Sequence, residues 1–149
     1  MGIVYEKVKE FKQKYPMTVA WRLKANAKVL EKHVNPDEKV LYAFAAQKSY
    51  SSLDIFSTAV VVLTDKRILI GRKRLLFGYF LDGVTPAMFN DLKIKASLVW
   101  GKIFIDTAKE LITLSNIDKA ALDEIETSIS SYMLEKKKLY VVKKNNNQE

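Results

Sequence analysis

Between Lys39 and Ser115 the apolar residues recur at a spacing close to two, in short runs rich in Val, Ile, Phe and Tyr, with turn signals about every eight to twelve residues. A run of that period cannot bury one face as a helix; it has to be antiparallel sheet. The spacing predicts seven strands: Lys39 to Gln47, Phe56 to Leu63, Arg67 to Gly71, Leu75 to Leu81, Met88 to Lys93, Leu98 to Ile105 and Glu110 to Leu114. Thr64-Asp65, Arg72-Lys73-Arg74, Asp82 to Pro86 and Asp106 to Lys109 are the connections between them.

The period is helical on both sides of this stretch. Val4, Val8, Phe11 and Tyr15 form one stripe, Pro16 interrupts, and Val19, Leu23, Ala27, Leu30 and Val34 form a second. Asn35-Pro36 ends the helical pattern, because the residue before a proline is pushed out of the α region. After the strands, Leu122, Ile125, Ile129, Tyr132 and Met133 share a helix face, with Ser115 and Asp118 at the spacing of an N-terminal cap. Acidic Asp123, Glu124 and Glu126 at its front and Lys136 to Lys138 further on suit the helix dipole. The organisation expected is a helical extension over residues 1–36, a mainly β domain over 37–138 and a polar tail over 139–149.

The strings "VVVLTDKRILIG", "LLFGYFLDGV" and "IFIDTAKELITLSNI", followed by a single helix, resemble the bacterial pleckstrin-homology-like (PH-like) family, in particular its YokE-like branch. The resemblance covers about residues 37–138. It implies a mainly β fold, a bent antiparallel barrel of four strands against three, with the helix after Ile117 plugging one end. It also implies a binding or scaffolding module and not an enzyme.

The residues support a packed roll by themselves, since an alternating sheet needs a cover and the Leu122 to Met133 stripe supplies one. Strand five reads as one-sided, Leu92 and Ile94 alternating with Asp91, Lys93 and Lys95. Strands two and four read as apolar on both faces: Val60 and Val62 against Ala59, Val61 and Leu63, and all of "LLFGYFL". A strand apolar on both faces needs a second cover. The N-terminal helices or a second copy of the chain would provide it.

Catalytic chemistry finds little to work with. One histidine and no cysteine leave no triad and no thiolate or zinc cluster, and the five glycines form neither a dinucleotide-binding nor a phosphate-binding loop. His33 reads as a favourable charge near a helix C-terminus. No cofactor, metal or small-molecule substrate is expected. The longest uncharged run, Ile55 to Thr64, is about half of what a membrane-spanning helix needs, and the absence of cysteine fits a reducing compartment. A cytoplasmic protein is expected, with peripheral attachment to a membrane as the alternative.

The net charge of +8 favours anionic partners, yet it is spread as +4, +4 and 0 over residues 1–39, 40–115 and 116–149, unlike a nucleic-acid arm. Nucleic acid is therefore the least favoured partner. In an antiparallel meander the loops after strands one and three fall at one end, which places Lys48 near Arg72, Lys73 and Arg74. The family fold would bring Lys109 to the same end. Such a rim attracts anionic headgroups by about 1 kcal/mol per basic residue. Cations at a hairpin tip also keep sheet edges from pairing, and the sequence alone favours that solubilising role.

Lipid-binding PH domains carry a basic motif over strand one, the next loop and strand two, where "QKSYSSLDIFSTAV" offers only Lys48 and includes Asp54. They also usually have a tryptophan in the last helix, and this helix has none. Trp100, Phe104, Phe77 and Tyr79 read as sheet or core packing, and Tyr50 and Leu53 as an apolar loop tip. The leading functional expectation is a non-catalytic module making protein contacts, self-association among them, through apolar sheet surface. The alternative is weak binding of anionic lipid through the basic rim.

Overall fold

The alternating text folds as alternating text should. In the computed structural model, which describes residues 2–48 and 57–148, seven strands form one continuous curled antiparallel sheet in the order β4-β3-β2-β1-β7-β6-β5. The strands are β1 (Val40–Gln47), β2 (Thr58–Thr64), β3 (Ile68–Lys73), β4 (Tyr79–Val84), β5 (Phe89–Ala96), β6 (Trp100–Thr107) and β7 (Leu111–Asp118). β1 meets β7 where Gln47 faces Ser115, so four strands and three strands join there and close on each other as a half-barrel. A 3-10 turn, Lys119–Ala121, leads into the long helix α3 (Leu122–Asn146).

The inside of the roll is a single apolar cluster. Phe44, Val61, Ile68 and Ile70 from the four-strand side meet Phe89, Ile103, Ile105 and Leu114 from the three-strand side, and Ile125, Ile129 and Met133 of α3 seal the space. The outside of the four-strand side carries a second cluster. There α1 (Ile3–Lys14) and α2 (Leu23–Glu31) lay Val4, Val8, Ala27 and Leu30 over Ala43, Ala45, Val60, Val62 and Leu69. Burial of each large aliphatic side chain is worth about 1.5–3 kcal/mol, so a sheet face this apolar does not remain bare. The end of α1 and the start of α3 add polar ties: Lys14 pairs with Glu124 at 2.6 Å, and the Tyr42 hydroxyl donates to the same carboxylate at 2.8 Å.

Four expectations are corrected. The strand expected at Leu75 to Leu81 begins only at Tyr79; β3 runs on through Lys73, and residues 74–78 are the turn, with Gly78 at φ +79° and Arg74 N–H donating to Gly78 O at 3.0 Å. "LLFGYFL" is therefore apolar because it is a protruding tip and an edge strand, not because it is covered twice. Ser115 lies inside β7 and does not cap a helix; Asp118 caps the 3-10 turn by accepting from Ala120 N–H at 3.0 Å. Residues 139–146, read as a polar tail, continue α3, helped by Lys143 and Lys144 at the negative end of the dipole. The aromatic positions divide as well: Phe77 is 84% exposed, and Trp100 and Tyr79 are about half exposed. Tyr50 and Leu53 lie outside the described residues.

Candidate functional site

The β3–β4 hairpin ends in three adjacent apolar side chains turned to solvent. Leu75, Leu76 and Phe77 are 66%, 85% and 84% exposed, on a tip whose ascending stem carries Arg72, Lys73 and Arg74. Stem and tip line a shallow groove of about 490 Å³ that Phe80 completes. The guanidinium groups of Arg72 and Arg74 stand 5.0 and 5.3 Å from the Phe80 ring centroid. A planar guanidinium stacks on an aromatic face more readily than a lysine ammonium does.

The base of this hairpin is held by Asn26 and His33. Asn26, buried on α2, accepts from Lys73 N–H at 2.8 Å while its own amide donates to Thr58 O and Trp21 O at 3.0 and 3.1 Å. Tyr79 packs against His33, with ring centroids 4.9 Å apart and the phenol oxygen 3.1 Å from Nε2. The other imidazole nitrogen, Nδ1, lies 2.6 Å from Val29 O, and since a carbonyl only accepts, Nδ1 carries a proton. His33 thus ties α2 to the hairpin, a structural role.

The sequence-derived cations differ in their surroundings. Lys48 and Arg72 come together at the end of β1 and β3, around a small depression that also includes Asp82 and Phe80. Lys48 is itself nearly buried and ion-paired with Asp82. A carboxylate in contact cancels most of its pull on an external anion. Lys109 stands on the β6–β7 turn, whose backbone packs on Met88 through the Ala108 N–H to Met88 O bond of 2.8 Å. On the β3–β4 hairpin, Arg72, Lys73 and Arg74 adjoin exposed apolar surface.

Sequence reasoning found the three cations and missed the three apolar residues beside them, having placed them in a covered strand. The signal was Gly78: a glycine inside a two-sided apolar run marks a turn more often than a buried strand. Among the described residues no group of three or more metal-ligating side chains converges, and no helix is long and apolar enough to cross a membrane.

The family model described as bacterial PH domain matches residues 34–131, about two thirds of the chain. The chain belongs to the bacterial PH domain family. Among solved structures, the pleckstrin homology domain from Shewanella amazonensis SB2B is similar at 13% identity, with a TM-score of 0.49, over 83% of this chain and 98% of that one. The search of curated proteins gives no match. PH domains are generally modules that mediate interactions. In this PH domain the matched region begins at Val34, so α1 and α2 precede it, and the outer wall they occupy is not available as an open interaction surface.

Proposed function

We propose that this PH domain is a non-catalytic module that docks reversibly on anionic membrane surfaces through the β3–β4 hairpin. The observation that carries the reading is the exposed Leu75-Leu76-Phe77 tip directly above Arg72, Lys73 and Arg74. Apolar residues at a tip gain by entering the acyl boundary, and the cations below them then lie at headgroup depth. Three basic residues at about 1 kcal/mol each, in addition to the apolar contribution, give a weak contact that salt loosens. Specific headgroup recognition is not part of the reading, because Lys48 is held by Asp82.

Sedimentation with phosphatidylcholine vesicles containing phosphatidylserine tests it. The native chain should co-sediment at low salt and be released as salt rises. The Arg72→Glu/Lys73→Glu/Arg74→Glu variant should remain in the supernatant, with its circular dichroism unchanged. Equal binding of native and charge-reversed protein, or no binding by the native chain, would overturn the proposal.

Self-association is the second reading, favoured by β4, which stands at a sheet edge next to the same exposed tip. Light scattering separates the two: a monomer at high concentration that still binds vesicles leaves only membrane docking.

A further inference from the structure

We propose that the membrane contact has a second point, the β5–β6 hairpin, and that the α1–α2 linker joins it to the first through a band of half-exposed tryptophans. This rests on the membrane-docking reading above. The β5–β6 turn exposes Leu98 at 96%, with Val99 and Trp100 at 42% and 41%. Its stem places Lys95 directly across from Lys102, both exposed. The composition of the first hairpin is repeated: apolar tip, basic stem.

Two hairpins act as one surface only if one element ties them together, and the linker touches both. The Trp100 indole N–H donates to Met17 O at 2.8 Å. Five residues further on, Arg22 reaches Lys73 O at 3.5 Å, and Trp21 N–H donates to Thr58 Oγ1 at 2.9 Å. A chain of five residues spans at most about 18 Å, so the two points at which the linker meets the hairpins lie within that distance of each other. Between these ends, Val19 N–H donates to Asn116 O at 2.9 Å and Val19 O accepts from the Gln47 amide at 2.8 Å, holding the linker along the rim where the two halves of the sheet meet.

What the linker shows to solvent is Met17, 51% exposed, and Trp21, 53% exposed. Both tryptophans of the chain thus lie on this rim. Tryptophan, with an apolar ring and one N–H, favours the boundary between acyl chains and headgroups. The charge is complementary to an anionic bilayer: Arg22, Lys95, Lys102 and Lys119 are exposed there. The carboxylate of Asp118 is turned inward, accepting from Met17 N–H at 3.2 Å and from Ala120 N–H. A purely apolar partner would leave those four cations without counter-charge, so the occupant that fits is an anionic lipid surface.

The two tryptophans supply the measurement. Trp100→Phe leaves Trp21 as the sole indole, and Trp21→Phe leaves Trp100. On addition of phosphatidylcholine vesicles containing phosphatidylserine, each variant should shift its emission to shorter wavelength and be quenched by brominated acyl chains. Lys95→Gln/Lys102→Gln in the otherwise native chain should weaken vesicle binding on the order of tenfold. Vesicle binding that depends on Arg72 to Arg74 but leaves Trp100 emission, brominated-lipid quenching and the Lys95/Lys102 variant unaffected would overturn the second contact and leave the first. Absence of any vesicle binding would overturn both.

Discussion

Along β2 every residue from Thr58 to Thr64 is buried, whereas along β5 burial falls on Phe89 and Leu92 and passes over the polar positions Asn90, Asp91 and Lys93. Both strands belong to one sheet and face the same interior cluster. They differ in what lies behind them. The back of β2 meets α1 and α2; the back of β5 meets water. In β2 and β5 the number of apolar faces matches the number of covers, two for one half of the sheet and one for the other.

The sharpest way to break that contrast is to remove the cover. Deletion of residues 1–36 should expose the Val60, Val62 and Leu69 face and leave the remaining chain aggregated, read as loss of soluble monomer by size-exclusion chromatography. Next in size, Leu30→Ala, at a fully buried position over this face, should cost about 2–5 kcal/mol in urea unfolding. Lys93→Ala on the wet back of the other half should stay within about 0.5 kcal/mol.

The joint between cover and sheet is also titratable. Glu38, at the turn into β1, accepts from Arg67 at 2.7 Å and from the Thr64 hydroxyl at 2.7 Å, with its side chain wholly buried. Burial by itself would raise its pKa, but the Arg67 guanidinium, the Thr64 hydroxyl and the Asn35 amide outweigh it and hold the carboxyl down at about 2 against an ordinary 4.5. A depressed carboxyl stabilises the fold above its unfolded pKa and loses that stability as pH falls through the folded value. On the order of 3 kcal/mol should vanish between about pH 4.5 and pH 2. The difference between native and Glu38→Gln unfolding free energies should shrink over that window; a difference independent of pH would reject the assignment.

A further effect concerns a close approach. A Cβ on Gly71 of β3 would come within 2.8 Å of Leu30 Cδ2 and 3.3 Å of Val29 Cγ1. Leu30 is fully buried and cannot swing clear. Gly71→Ala should therefore cost about 1–3 kcal/mol, and the same change made with Leu30→Ala should cost less than the two separately.

Much of this architecture was legible because it is written in period. The alternation from Lys39 to Ser115 carries the sheet, the stripe from Leu122 to Met133 carries the plug, and the two-sided run in β2 demands an outer cover. The site was legible only in part. Arg72, Lys73 and Arg74 announce themselves by charge, but whether Leu75, Leu76 and Phe77 are buried depends on a turn that one glycine decides. Trp100 was equally opaque: an aromatic opening a strand looks like core until the linker that takes its indole hydrogen is seen from the opposite end of the chain. Long-range polar ties such as Lys48 with Asp82 have no periodicity at all.

The placement of α1 and α2 ahead of the sheet also sets the order of events at the ribosome. Residues up to Glu31 emerge before any strand they will shield, and at about 5–20 residues per second the wall through Lys73 follows within seconds. Each newly made strand of that wall thus emerges after the residues that will cover it, and the cover needs no later segment of the polypeptide to be made.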